Sequence, residues 1–457
     1  MMLSIERARA ATGGAVYRQS RFPAALRIAT DSRGLVAGET FLALRGEHFD
    51  GHAYVPQAIQ RGAAALVVDD AGVIPDDTPA LVVADTKRAY MDLAAANREL
   101  FEGRVVAITG SAGKTTTKHL LAQLLAAAFG EDAVLATPGN ENNEIGVSKL
   151  LLRAQPLHRF VVVELGARHV HDIAELVAIA RPHVGVLTNI GEAHLEIFGS
   201  RERLAETKWG LFASGAQAVL GANDAESLAR AGGLPTPPLW FGTVPAGAPG
   251  VWIPDSKTLV LTAEREPSAY AVDIRLPGEH NRMNLAAAIA GALLLGVSEQ
   301  QIVGAIRGLT LPLGRFESIA LSSGPRLIYD AYNANLSGML AALDAFAAEP
   351  ARRRIAVLAG MAELGPQAHE MHERVGAKAA AVHMDTVLAG GEFAGALIGG
   401  ALAAGFPRTR LVRYETNEEA AHWIRLHAGP GDAVLLKGSR KYAMEQIVQR
   451  LLPAASA

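Results

Sequence analysis

Apolar strands alternating with long helices predict an α/β protein of three domains, at least two of them built on parallel sheets. Three observations carry this expectation. The chain has 457 residues, and at roughly 100–200 residues per domain that length suits about three. It is 50% apolar and only 19% charged, enough to bury several cores and too apolar for a disordered chain. The pattern also changes twice, near Arg104 and near Gly314.

Residues 1–103 hold short apolar runs, Thr40–Leu44, Ala64–Val68 and Leu81–Ala84, broken by Gly, Asp and Pro. They predict a small α/β module. Residues 104–313 pass into strand–helix units, with strands predicted at Val105–Thr109, Phe160–Leu165 and Val184–Ile190. Between Gly232 and Pro277 the chain turns rich in Pro and Gly. Its alternating stretches, Thr258–Thr262 and Tyr270–Leu276, predict an antiparallel elaboration rather than a linker. Residues 314–457 alternate again, and Leu327–Asp330, Ile355–Ala359, Thr386–Ala389 and Ala433–Lys437 predict a second parallel sheet. The tail Ala454–Ala457 is expected to fray.

Composition excludes several function classes. With 43 basic and 46 acidic residues the net charge is −3, and no long basic stretch offers a footprint for nucleic acid. Cysteine is absent, so disulfides, thiolate zinc sites, iron–sulfur clusters and cysteine nucleophiles are ruled out. Any metal must be held by oxygen or imidazole. Apolar runs such as Ala286–Val297 fall short of the ~20 residues a membrane helix needs. Glu6, Arg7 and Arg9 stand where a signal peptide requires an apolar stretch. The expectation is a cytoplasmic protein with no membrane insertion and no nucleic-acid partner.

The strongest local signal is RVVAITGSAGKTTTKHLLAQLLAAAF, Arg104–Phe129. A strand ends at Thr109, a glycine loop follows, and a helix opens at Lys114 with Leu120, Leu121, Leu124 and Leu125 on one face. Gly110 and Gly113 let backbone N–H groups close around a phosphate, and the helix N-terminus adds partial positive charge. Lys114 can reach the β- and γ-phosphates, and the Thr115 hydroxyl can bind Mg²⁺. Gly110, Ser111, Ala112, Gly113, Lys114, Thr115 and Thr116 are therefore the candidate nucleotide-phosphate site. Ile108 stands where the general phosphate-loop pattern has its first glycine, so the motif is a modified one. An ordinary strand–turn–helix leaves GKTT unexplained.

Two further strands end in candidate ligands. VVVEL ends with Glu164, and VGVLTNI leads into GEAHLE with His194. In an open parallel sheet the carboxyl ends of strands line the ligand crevice, which puts both residues on the side of the phosphate loop. Glu164 is alternatively a strand-end acid, and His194 a structural histidine. Lys208, in SRERLAETKWGLF, reads by itself as a solvated helix lysine paired with Glu206 or Glu202.

Further motifs follow in order: TPGNENN, ELGA, NIGEAHLEIFGS, AETK, LPGEHNRMN, GRFE, DAYNAN, MAELG and LLKGSR. With TGSAGKTTT before them, the series resembles the Mur ligase family over nearly the whole chain. TDSR at Thr30–Arg33 and GEHFDGHAY at Gly46–Tyr54 are similar to the first domain of those members that join D-alanyl-D-alanine to UDP-N-acetylmuramoyl-tripeptide. The resemblance implies a UDP-substrate domain at 1–103, a central ATPase domain at 104–313 and a Rossmann-like ligase domain at 314–457. It also implies ATP-dependent amide formation through an acyl phosphate, in cytoplasmic peptidoglycan precursor synthesis, with two Mg²⁺ ions. A monomer is expected.

The resemblance assigns roles that spacing does not. Lys208 would be carbamylated and, with Thr115, Glu164 and His194, hold metal. Lys114, His194, Lys208 and Arg315 would form the catalytic set, Arg315 reaching a terminal phosphate. Asn281 would meet the adenine with Asn284 in support, and Asn281 also reads as the N-cap of a helix over Arg282–Leu295. Asp330 would bind the ribose. Ser32, Asn142 and Asn143 match positions holding the UDP-sugar, and Lys437, Ser439 and Arg440 match a C-terminal signature of substrate contacts.

Four places in the sequence, five residues in all, depart from the family pattern. His171-Asp172 replaces a common Gly-Glu, Gly360 a usual aspartate, Ser148 a proline and Ala331 a serine. The first two bear on peptide specificity and leave the ATP machinery intact. Two rival readings follow. One is a related amide ligase with a different acid and amine, such as a folylpolyglutamate synthase relative, which the motif order and TDSR disfavour. The other is a nucleotide-gated binding protein, which has little use for Lys114, Glu164, His194 and Lys208 together.

Overall fold

The computed structural model describes residues 3–452 except 47–48, 192–197, 246–247, 263–266, 322–323 and 363. Among the described residues the chain forms three sheets in succession. The first contains β1 (Ala15–Tyr17), β2 (Ile28–Ala29), β3 (Thr40–Leu42), β4 (Ala65–Val68) and β5 (Ala80–Val82) in the order β1-β5-β4-β3-β2. Only β1 runs antiparallel, against β5. The helix Thr86–Leu100 packs on it, its start fixed by Asp85 accepting from Arg88 N.

The central sheet has nine strands: β6 (Arg104–Thr109), β7 (Val134–Ala136), β8 (Phe160–Glu164), β9 (Val184–Leu187), β10 (Gln217–Gly221), β11 (Leu239–Gly242), β12 (Gly250–Trp252), β13 (Thr258–Thr262) and β14 (Ser268–Ala271). β6 lies between β8 and β9, so its carboxyl end has both neighbours' ends beside it. Val105–Ile108 are fully buried because helices cover both faces. Lys114–Phe129 and Glu279–Leu294 pack together on one side, where Gly291 lies against Leu121. Glu144–Leu152 and Asp172–Ala180 cover the other.

The expected antiparallel elaboration is only partly right. The crossover helix Ala225–Arg230 returns the chain in parallel, so β11 and β12 extend the parallel sheet and only the β12–β13 and β13–β14 pairings are antiparallel. β14 ends at Ala271 rather than running to Leu276, although Val272 N and Ile274 N still donate to Lys257 O and Ser256 O.

The third sheet orders β15 (Glu317–Ala320), β16 (Arg326–Tyr329), β17 (Arg354–Leu358), β18 (Thr386–Gly390), β19 (Leu411–Tyr414) and β20 (Ala433–Lys437) as β15-β16-β20-β17-β18-β19. All its pairings are parallel except that of the edge strand β15. β20 sits between β16 and β17, which brings Lys437 beside Asp330. None of the described helices is long and apolar enough to cross a membrane.

One close approach in this third domain makes a stability test. The helices Ala368–Ala381 and Ala394–Ala403 meet so tightly that a Cβ on Gly376 would run into Leu397 O and Ala401 N, both backbone. Gly376→Ala is expected to cost about 1–3 kcal/mol through forced helix separation, read as a lower urea midpoint at unchanged slope.

Candidate functional site

The site begins where β6 stops. Thr109 ends the strand and Lys114 opens the helix, leaving Gly110–Gly113 as a loop at the sheet's carboxyl edge. Gly113 sits at φ +82°, and a Cβ there would run into Asn284 Oδ1. Only glycine brings the loop so close to the Glu279–Leu294 helix. The neighbouring strand pins the loop from the other side. Asn189 Oδ1 accepts from Ala112 N at 3.0 Å, Thr188 Oγ1 donates to Ala112 O at 2.6 Å, and Ser111 Oγ accepts from Gly191 N at 2.9 Å. Thr188 and Asn189 are absent from the sequence-based site, although Asn189 belongs to the NIGEAHLE motif.

Lys114 folds over the loop and donates to Gly110 O at 2.8 Å. Burial lowers its ammonium from the ordinary lysine range; Glu164 pulls it back up and Arg315 pushes it down further. Glu164, at the end of β8, is buried and joins three elements. Thr115 Oγ1 donates to its Oε1 at 3.2 Å, and Asn142 Nδ2 donates to the same oxygen at 2.9 Å. Lys118 Nζ lies 3.2 Å from Oε2. That contact lacks hydrogen-bond geometry, because the ammonium donates instead to Gly139 O. Lys118, one helical turn beyond Lys114, escaped the sequence reading; GKTTTK displays it, but its inward direction depends on packing.

Lys208 is not the solvated lysine that its neighbours suggest. The helix Arg201–Trp209 buries Leu204, Ala205, Thr207 and Lys208, and among the described residues neither Glu202 nor Glu206 pairs with the lysine. Burial, with the Lys114 charge nearby, pushes its ammonium well below the usual range. His194 lies outside the described residues.

The C-terminal domain supplies the opposite wall. Asp330 Oδ2 pairs with Lys437 Nζ at 3.0 Å, the same ammonium donates to Asn333 O at 2.9 Å, and Asp330 Oδ1 accepts from Phe316 N at 3.3 Å. The Arg315 guanidinium lies 4.7 Å from the Tyr332 ring centre, and its buried Nε has no partner among the described residues. Asn281 is not an N-cap. The helix starts earlier, at Glu279 behind Gly278, so Asn281 sits inside the first turn and donates to Pro277 O at 2.8 Å. Asn284 Nδ2 donates to Asn281 Oδ1 at 3.3 Å.

These walls enclose a cavity of about 430 Å³ lined by Ser111–Thr116, Asn281, Asn284, Arg315, Asp330 and Lys437, with His280 and Asn333 beside them. The structure thus brings the phosphate loop together with the adenine, ribose and arginine candidates, while Gly110 contributes its carbonyl to Lys114. Asn142 joins through Glu164. Ser32, hydrogen-bonded to Gln57 at 2.7 Å, Asn143, which caps Glu144–Leu152, and Ser439, whose N–H donates to Gly360 O, lie outside the cavity lining.

The donor set suits Mg²⁺. A threonine hydroxyl and a carboxylate 3.2 Å apart beside a phosphate loop are oxygen ligands for an ion that keeps waters and phosphate oxygens rather than filling an all-protein cage. The described residues hold no cluster of three or more His, Asp or Glu that forms such a cage.

Two departures from the family pattern have structural reasons. His171 holds φ +79°, a conformation that favours the glycine common there. Asp172 then accepts from Arg168 N and His169 N, both at 2.8 Å. At Gly360 a Cβ would meet the Tyr442 hydroxyl at 2.5 Å, so the tyrosine fills the space of the usual aspartate. Ser148 is buried without a hydroxyl partner among the described residues, and Ala331 is simply buried.

The loop makes its own prediction. Gly113→Ala is expected to weaken ATP binding by at least ~10-fold through backbone strain and the Asn284 collision, measured by calorimetric titration with far-UV circular dichroism unchanged.

Three domain models match the chain in turn. They are the Mur ligase family catalytic domain at residues 27–104, the Mur ligase middle domain at 108–292, and the Mur ligase glutamate ligase domain at 314–440. The UDP-N-acetylmuramoyl-tripeptide–D-alanyl-D-alanine ligase of Synechocystis is 38% identical over 93% of this chain and 91% of its own. A crystal structure of MurF from Acinetobacter baumannii aligns with TM-score 0.85 and 32% identity, covering 99% of each chain. The MurF ligase of Thermotoga maritima in complex with ADP aligns at 0.78 and 27% identity, over 93% of this chain and 96% of its own. Given this likeness along its whole length, with a phosphate-loop cavity lined by its central and C-terminal parts, the chain belongs to the Mur ligase family.

Proposed function

We propose that this protein joins D-alanyl-D-alanine to UDP-N-acetylmuramoyl-tripeptide, using ATP and Mg²⁺, in cytoplasmic precursor synthesis for peptidoglycan. The observation that carries this reading is the cavity itself. A phosphate loop on one domain faces an arginine and a lysine from the next, in a chain similar throughout to enzymes bearing that name. The division of labour assigns 1–103 to the UDP end of the substrate, 104–313 to ATP and 314–457 to ligation, in a protein acting as a monomer.

The chemistry has two steps. A terminal carboxylate oxygen of the UDP-linked peptide attacks the γ-phosphorus, forming an acyl phosphate and releasing ADP. The dipeptide's amine nitrogen then attacks the acyl carbon, phosphate leaves and the nitrogen loses a proton. Two anions must meet in the first step, so charge neutralisation is the main task. Lys114 and Arg315 face each other across the cavity and supply it. Asn281, Asn284 and Asp330 would orient the nucleoside, while Ser32, Asn142, Asn143, Lys437 and Ser439 would hold the other substrates. Closure of the C-terminal wall keeps water from the acyl phosphate.

Thr115, Glu164, His194 and Lys208 would hold two Mg²⁺ ions, which would supply charge neutralisation for the phosphoryl transfer. Lys208 suits this role once carbamylated. Its unprotonated amine adds to CO₂ with loss of a proton, and burial favours the unprotonated form. The product is an anion beside Lys114, replacing repulsion by attraction.

Phosphate release is expected to require both UDP-N-acetylmuramoyl-tripeptide and D-alanyl-D-alanine, with a pentapeptide product by mass; release without the dipeptide overturns the proposal. Lys114→Ala is expected to lower that rate by at least ~10²-fold, and full activity removes the phosphate-loop assignment. Carbamylation makes a separate prediction. Wild-type activity falls in CO₂-depleted buffer and returns with bicarbonate, whereas Lys208→Ala is inactive in both.

A further inference from the structure

Lys118 is a buried cation for which the proposed reaction has no use. It sits one turn beyond Lys114 on the phosphate-loop helix, is only 4% exposed and does not line the nucleotide cavity. Its ammonium reaches two other elements, donating to Gly139 O and lying 3.2 Å from Glu164 Oε2. Thr115 and Asn142 both donate to the other Glu164 oxygen, whereas Oε2 accepts no hydrogen bond among the described residues. Gly139 O has no second donor among those residues either. The loop around it is fixed at its ends, where Thr137 N donates to Val162 O at 3.0 Å and Asn143 caps the helix Glu144–Leu152. Between those ends runs a turn with Gly139 at φ +50°, and Lys118 ties that turn to the phosphate-loop helix.

We infer that Lys118 is a positioning residue with two opposed effects. It holds the Gly139–Asn143 loop in the shape that receives the UDP-sugar, and it serves Glu164 as an internal counter-ion against which a divalent cation must compete. The inference rests on the proposed function, which gives Asn142 and Asn143 to the UDP substrate and Glu164 to the metal. A buried carboxylate needs a positive partner, and in the metal-free protein the ammonium is beside it. A divalent cation arriving at Glu164 meets a like charge in a poorly screened site, so the lysine weakens its binding. A carbonyl with one donor loses its hold when that donor goes, and Asn142 and Asn143 follow Gly139 by three and four residues. Were Lys118 present only to fill space, a neutral side chain of the same length would serve as well.

Lys118→Met, which keeps the length of the side chain without its charge, tests this in the full-length enzyme. In calorimetric titration with EDTA present, the variant is expected to bind UDP-N-acetylmuramoyl-tripeptide ~10-fold more weakly than wild type, the loss of a charge-assisted hydrogen bond. In steady-state phosphate release its KM for that substrate rises by the same factor, and KM for D-alanyl-D-alanine is unchanged. The Mg²⁺ concentration giving half the maximal rate falls by about 3–10-fold. General damage to the fold weakens both interactions, so the opposite signs separate positioning from structure. Lys118→Gln, equally uncharged but still a hydrogen-bond donor, lowers the Mg²⁺ requirement as well and loses less affinity for the UDP substrate; it carries the test if the methionine variant fails to fold. The assignment is overturned by an unchanged affinity for the UDP substrate, by an unchanged or higher Mg²⁺ requirement, or by a wild type that binds the UDP substrate only with metal. Absence of any wild-type phosphate release with both substrates overturns the proposed function first, and this assignment with it.

Discussion

Positive charge crowds the cleft between the central and C-terminal domains. Lys114, Lys118 and Lys437 all have their ammonium groups held below the ordinary range, in each case first by burial and in part by Arg315. Among the described residues the carboxylates that face them are Glu164 and Asp330. Four cations against two anions is an arrangement that water normally screens, and here burial removes much of that screening. A polyphosphate supplies the missing charge. Arg315 and Lys437 belong to the C-terminal wall and Lys114 and Lys118 to the central one, so an anion between them turns mutual repulsion into a shared attraction.

Local features of this site were legible because the chain itself sets them. The order strand, glycine loop, helix at Arg104–Phe129 follows from neighbouring residues, and the structure reproduces it, with Lys114 as the first helical residue. The parts that were not legible depend on sheet order. Asn189 reaches Ala112 only because β9 pairs with β6, and Glu164 reaches Thr115 only because β8 pairs on the other side. Nothing in a linear pattern states that adjacency. Lys208 reads as exposed from the nearby Glu206 and Glu202, but its burial comes from helix packing. The Asn281 difference has a local cause: the helix opens behind Gly278, a less obvious start signal than the polar residue three places later.

The departures from the family pattern show how a site tolerates change. His171 takes a left-handed backbone conformation at some cost, and Asp172, through two backbone N–H groups, holds the turn that requires it. Gly360 and Tyr442 exchange volume, one losing a side chain where the other places a ring. Neither change touches the cavity lining.

Glu164 ties the phosphate-loop helix to the loop that carries Asn142. Its first oxygen accepts from Thr115 and from Asn142, and its second faces Lys118, whose ammonium also holds Gly139. The phosphate-loop helix and the Gly139–Asn143 loop therefore share a single carboxylate. A cation taken up by Glu164 and Thr115 competes with Asn142 for the same oxygen, so loading the metal alters the hold on the loop that the acceptor is proposed to use.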